Sequence, residues 1–301
     1  TIYQCRNCEY GTVNIDSMSR SEGAVTVDLG HGRFASLTDA DRSNFPVTFW
    51  HNRKESPCTI IGRLHSDALA EPPFGTSWEV LLLSATAAKL YENRYLVENL
   101  NPPCAIADTS WIRPGKAICQ VRNTRLVTSE LKKLAEFASA HKIDYLEIDH
   151  SWCGAETRWT EQEIEFFEKH KSRFWLDKPE WRKNVGGNLF APAKGWVPFR
   201  PKADSGGNFV DLDLQELVAH ANRLKPKVGI CVYVRGEVLK EFGGQHAIDD
   251  VFAAYEKWGL AGVKPGFVPS SSQQNERTIA YLVKKAAEHR LIACIHDAYL
   301  P

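Results

Sequence analysis

The sequence lacks several things that common functional classes need. It has no surplus of charge: 37 Lys and Arg balance 37 Asp and Glu over 301 residues, a formal net charge of zero. Nucleic-acid binders and polybasic membrane-surface proteins usually carry a basic excess, so no nucleic-acid partner is expected. It has no apolar run of the ~20 residues a bilayer-crossing helix takes. A mean hydropathy of −0.34 with 25% charged residues describes a chain that is neither membrane-spanning nor disordered. No Gly-x-Gly-x-x-Gly and no phosphate loop follows a strand-like segment, which removes the main support for nucleotide binding. No His-x-His or spaced His pair is present, which counts against a zinc amidohydrolase-like cluster. Cysteines number eight, yet only Cys5 and Cys8 have Cys-x-x-Cys spacing, with no second pair to complete a zinc site. They read as small packed residues or free thiols, Cys231 and Cys294 within apolar runs. No signal sequence is visible and Thr1 is not an initiator, so the chain reads as a piece of a longer protein.

What is there falls into two rhythms. In the first hundred residues, short alternating runs at 24–29, 46–50, 59–64 and 78–83 are separated by Gly, Pro, Asn and Asp, the punctuation of an antiparallel sandwich. No helix-period stretch of more than a few residues interrupts them. After Asn101-Pro102-Pro103, apolar runs at 111–112, 145–148, 228–234, 262–267 and 291–295 alternate with amphipathic segments at 129–141, 212–224, 247–258 and 275–289. Ser129 stands where a helix N-cap belongs, and Leu131, Leu134, Ala135 and Ala138 share one face. Strand–helix alternation predicts a parallel α/β sheet, either doubly wound or a (β/α)8 barrel, and the barrel is preferred. The expected division is a β-sandwich part over 1–103 and a barrel part over 104–301. The barrel part carries an aromatic-rich insertion, 153–208, that reads as a satellite core, a lid or wall over the strand ends, or both.

Polar and aromatic groups gather where the strands end. Glu147 and Asp149 share a strand face, so both can point into a barrel mouth as acid, base, metal ligand or substrate anchor; the bland alternative is an ion-pair network with Lys264 or Arg113. Trp152 offers a flat apolar face suited to a pyranose ring, or to plain packing against the insertion. His296 and Asp297 close the last strand; neighbours in a strand face opposite ways, so the two do not reach one atom unless the chain bends. The run Gly262-Val-Lys264-Pro265-Gly266-Phe267 brings no nucleophile from its glycines, which mark a bend or a close approach.

These stretches together resemble glycoside hydrolase family 97. The resemblance is carried by Asp108-Thr-Ser-Trp-Ile-Arg-Pro-Gly-Lys116, Ile143-Asp-Tyr-Leu-Glu-Ile-Asp149, Gly262-Val-Lys-Pro-Gly-Phe267 and His296-Asp-Ala-Tyr-Leu-Pro301, in family order. Upstream, Ala70-Glu-Pro-Pro-Phe-Gly-Thr-Ser-Trp78 and Asn99-Leu-Asn-Pro-Pro103 are similar to its N-terminal region. It implies a β-sandwich on a (β/α)8 barrel, acting on α-linked glucosides or galactosides with calcium in the site. Retaining members carry an aspartate nucleophile in the strand matching 262–267; inverting members have glycine there, and Gly266 matches the inverting, α-glucosidase-like pattern, which leaves room for an activated water.

By the same resemblance His296 binds substrate, Asp297 is the candidate base and Trp152 lines the sugar site; Asp149 and Lys264, from their place at the strand ends, are the further substrate-binding candidates. Asp39 is the candidate calcium ligand from the sandwich. Family members continue past the His-Asp-Ala-Tyr-x-Pro segment. The general acid and most calcium ligands are therefore expected beyond residue 301, with about five of eight barrel strands present and the isolated chain inactive. The implied substrate is an α-linked oligosaccharide or polysaccharide. Location is open, with export expected more than a cytoplasmic place. Two other readings stand beside this one: a non-catalytic carbohydrate-binding protein on the same scaffold, and a metal-dependent barrel hydrolase using Asp149, His150, His296 and Asp297.

Overall fold

The structure is a computed structural model; it describes residues 2–6, 9–18, 20–42, 44–56, 58–64, 68–120, 126–149, 210–211, 213–235, 244–266 and 272–296. His150, Trp152, Asp297 and the aromatic stretch 153–208 lie outside the described residues. The chain divides into two compact units, one of 1–107 with 269–280 and 297–301, the other of 108–268 with 281–296.

The first unit is antiparallel. Strands β1 (Ile2–Arg6), β2 (Glu9–Val13), β4 (Val25–Gly30), β5 (Arg33–Ala40) and β8 (Trp78–Ser84) form a sheet in the order β2-β1-β4-β5-β8. A second sheet has the order β3 (Ser21–Glu22), β6 (Thr48–Asn52), β7 (Ile60–Leu64). Met18, Val25, Val27, Ala35 and Trp50 form its buried core, with Leu37 and Ile60 packed against them. Strand β5 has no counterpart among the expected strands. Ser36, Thr38 and Asp39 are buried in it alongside Ala35 and Ala40, so polar residues face inward on both sides and the alternation that marks a strand is erased. The tight β4–β5 turn is legible only afterwards: Gly30, His31 and Gly32 all have positive φ, and Asp28 accepts the Gly30 N–H at 2.8 Å. Two short helices, α1 (Ala87–Glu92) and α2 (Tyr95–Glu98), correct the expectation of an uninterrupted β region. Thr86 caps α1 by accepting from the Lys89 N–H.

The second unit holds a parallel sheet of five described strands, β9 (Ala117–Gln120), β11 (Tyr145–Ile148), β13 (Gly229–Arg235), β14 (Gly262–Gly266) and β15 (Ile292–Ala293), each beside the next in chain order. Strands β10 (Leu126–Val127) and β12 (Val210–Asp211) pair separately. A doubly wound sheet reverses its strand order at a switch point, whereas a barrel adds strands in one direction. The order here does not reverse. The first parallel strand is Ala117–Gln120, not 111–112 as expected. Asp108 accepts both the N–H and the hydroxyl of Ser110, at 3.0 and 2.6 Å, and this turn ends extended chain before Trp111.

Helices α3 (Thr128–Ala140), α4 (Leu214–Arg223) and α5 (Gly244–Trp258), with the part of α6 (Gln273–Glu288) from Tyr281 onward, are the helices of this unit. Leu131, Ala135 and Ala138 are buried, as their spacing predicts, although α3 begins at Thr128 rather than after a Ser129 cap. Asp213 caps α4 by accepting the Glu216 N–H at 3.0 Å. One face of the parallel sheet carries Leu146, Ile148, Ile230, Val232, Val234 and Val263, all buried. The opposite face carries the chemistry.

Candidate active site at the strand ends

Parallel register fixes which residues share that face. Cys119 pairs with Glu147, Glu147 with Cys231, Cys231 with Gly262, and Gly262 with Ile292. Tyr233 pairs with Lys264, two residues along, and Arg235 with Gly266. Beyond β15 the ladder continues: Cys294 N–H donates to Val263 O and His296 N–H to Pro265 O, each at 2.9 Å. Because side chains alternate along a strand, Glu147, Asp149, Cys231, Tyr233, Lys264, Gly266 and the Cys119 thiol stand on one face, and Cys294 and His296 continue it. The sequence argument that Glu147 and Asp149 face the same way holds.

Lys264 Nζ lies 2.5 Å from Glu147 Oε1 and 3.9 Å from Asp149 Oδ2. Cys119 Sγ lies 3.4 Å from an oxygen of each carboxylate, so its one S–H can donate to either. Burial alone would draw the Lys264 ammonium down, but the hydrogen bond and charge of Glu147, with Asp149 behind it, outweigh this and leave it above its ordinary value. Cys119 is pushed up to about 12 by burial first and then by the two carboxylates. Cys231 reaches about 12 for the same reasons, with burial, Glu147 and Cys294 acting in that order. Cys294 is also raised, by burial and then Glu147, with Lys264 opposing. The thiols at 231 and 294, expected to be plain core packing, thus stand on the polar face and remain protonated. No sequence signal marks them, because the runs that hold them are apolar on the other face.

One oxygen each of Glu147 and Asp149 and the Cys119 sulfur lie within 4.8 Å of one another. Lys264 already supplies the cation there, and calcium prefers oxygen ligands to a thiol. Asp39, the sandwich candidate for calcium, is 2% exposed in the other unit. Its Oδ2 accepts the Thr48 N–H at 3.0 Å and its Oδ1 lies 3.7 Å from Arg42 Nε. Arg42 is its counter-ion. Among the described residues, then, the acidic groups proposed for metal do not fit calcium, and no step is drawn through it.

Gly266 and His296 complete the described strand ends. A methyl group placed at Gly266 would run into the Tyr233 hydroxyl and lie 2.5 Å from Tyr233 Cζ, so the space beside Gly266 is filled by this ring and is not the room for an activated water that the sequence led us to expect. The Tyr233 ring in turn meets the His296 ring edge-on, with centroids 5.9 Å apart. His296 is exposed at the sheet's C-terminal end, the side on which barrel enzymes bind substrate. Tyr233 is one of the polar and aromatic residues that the sequence places at the strand ends, but nothing in the sequence assigns it a role.

The family model for glycoside hydrolase 97 matches residues 188–301, the part of the chain holding β13, β14, β15 and His296. The chain is related to glycoside hydrolase family 97. A probable retaining alpha-galactosidase of Streptomyces bingchenggensis is 22% identical over 275 residues, covering 90% of this chain and 36% of its own. A retaining alpha-galactosidase of Bacteroides thetaiotaomicron is 21% identical, covering 92% and 39%. A family 97 enzyme of Pseudoalteromonas sp., solved with acarbose, superposes with a TM-score of 0.69 at 18% identity over 95% of this chain and 42% of that one. The chain thus spans roughly two fifths of the length of these relatives, and it shares the fold of the matching part of the Pseudoalteromonas enzyme.

Proposed function

We propose that the protein to which this chain belongs hydrolyses α-linked glycosides. The reading is supported by the family 97 match over β13, β14 and β15, three of the strands that form the site, and by a face of titratable side chains at the substrate end of the parallel sheet. The five strands are read as part of a (β/α)8 barrel, and an α-linked oligosaccharide or polysaccharide as substrate. His296, exposed at the sheet end, contacts the sugar; Asp149 and Lys264 line it from below, and Trp152 is assigned its apolar face.

We assign the inverting course, and one observation carries it: position 266, where retaining members place their nucleophile, has no side chain and no room for one. Glu147 and Asp149 do not serve as the acid–base pair. Inversion needs carboxyls about 6.5–9.5 Å apart to hold a water, whereas these approach within 4.8 Å and share a lysine. The general acid and most calcium ligands are assigned to strands after the fifth, and Asp297 is proposed as base. The two sequence relatives are named retaining, so the stereochemistry is the point to measure. In the full-length protein, NMR of p-nitrophenyl α-glucoside hydrolysis is expected to show β-glucose before mutarotation. Initial α-glucose overturns inversion; absence of turnover on α-glucosides and α-galactosides overturns the hydrolase reading.

A further inference from the structure

We propose that Tyr233 closes position 266 to any side chain and holds the His296 ring at the sheet end, making Gly266, Tyr233 and His296 one positioning unit. Only the role of His296 as a sugar contact rests on the glycosidase reading. Tyr233 pairs with Lys264, one inward row below Gly266. Strand side chains lean along the strand, so the ring of Tyr233 reaches the level of Gly266. There its hydroxyl occupies the place of a Cβ, with ring Cε2 only 2.8 Å from where that atom would sit. The same ring continues across β14 and meets His296 at 75°. The His296 backbone is tied to Pro265, the neighbour of Gly266. Bare backbone at 266 is therefore the passage by which a ring on β13 reaches a ring beyond β14.

The fold uses the same device lower on this face. A methyl at Gly229 would lie 2.8 Å from Tyr145 Cδ1, and the Tyr145 hydroxyl is fixed by donation to the Arg113 carbonyl. Tyr233 is a rigid ring with 2% exposure, so it cannot step aside as a flexible chain end would. The site is thus shut against a carboxylate at 266 by packing as well as by sequence, and substitution at 266 alone cannot open it. Tyr233 is a positioning residue: it touches the sugar only through His296.

A double-mutant cycle on the intact chain tests this. Gly266→Ala is expected to lower the melting temperature by roughly 4–8 °C through overpacking. Gly266→Ala with Tyr233→Leu is expected to lose clearly less than the sum of the two single changes. If Gly266→Ala does not fold, a folded double variant is the same result. The second readout is the His296 ring-proton resonance, assigned by its loss in His296→Gln. It should move in Tyr233→Leu and stay in place in Phe137→Leu, which instead removes a ring stacked on His141. Additive melting shifts, or an unmoved resonance in Tyr233→Leu, overturn the proposal. In the full-length enzyme Tyr233→Leu should raise KM for the glycoside more than it lowers kcat. Coupling without any glycoside hydrolysis would sink the glycosidase reading and keep the unit; hydrolysis without coupling would do the reverse.

Discussion

Lys264 decides what the two carboxylates on the inward face can be. Glu147 is 7% exposed and Lys264 is its hydrogen-bonded cation, so removing the lysine strands a charge in a poorly hydrated place. Lys264→Met is expected to cost about 3 kcal/mol in urea unfolding, and Glu147→Leu in the same chain to restore most of that loss. A cost unchanged in the double variant would mean that Lys264 stabilises the sheet through other contacts. The thiols give a second check at this scale. Cys119 and Cys231, both pushed up to about 12, carry almost no thiolate at pH 8. Iodoacetamide at pH 8 should label Cys58 and Cys104 well before the buried Cys231 and before Cys119, which is exposed but held protonated, as read by peptide mass spectrometry.

At the scale of elements, α6 contains a carboxyl with an unusual position. Glu276 is fully buried in the unit that includes Asp39 and Arg42, and neither of its oxygens has a hydrogen bond among the described residues. Burial lifts it to about 7, with Arg42 opposing and Asp39 adding to the rise. The folded chain therefore holds a proton that the unfolded chain releases near its ordinary 4.5. Stability from this group is complete below that value, falls as pH rises through the interval up to about 7, and is flat above. Glu276→Gln should remove this slope and raise stability at pH 8 by on the order of 2–3 kcal/mol, measured by chemical denaturation at pH 4.5, 6 and 8. A slope unchanged by the substitution would place the titration elsewhere. Gln273, one turn earlier, donates to Asn44 O and Leu69 O and accepts from the Leu69 N–H, so this end of α6 is well tied. Helices of the second unit were legible to within a few residues, because each buries one face and exposes the other. Strand β5 was not, because both of its faces are covered.

For the whole molecule, the five described parallel strands follow one another in the order that a barrel uses, without the reversal of a doubly wound sheet. The described strand ends contain a locked carboxylate pair and no second pair spaced for inversion. The 301-residue chain alone is accordingly expected to give no measurable turnover of p-nitrophenyl α-glucoside, while the full-length protein does. Calcium-dependent turnover by the chain alone would contradict this.

The amino-acid sequence by itself determined the parallel strand–helix rhythm, the helix faces and the shared face of Glu147 and Asp149. All of these follow from periodicities of 3.6 and 2 that act within one element. It also carried the resemblance to glycoside hydrolase family 97, through motifs kept in order. Only tertiary structure decided that Lys264 neutralises the carboxylates, that Cys119, Cys231 and Cys294 join them, and that Tyr233 stands over Gly266. Each of these depends on register between strands separated by tens of residues, and register is set by how the helices bury the opposite face of the sheet.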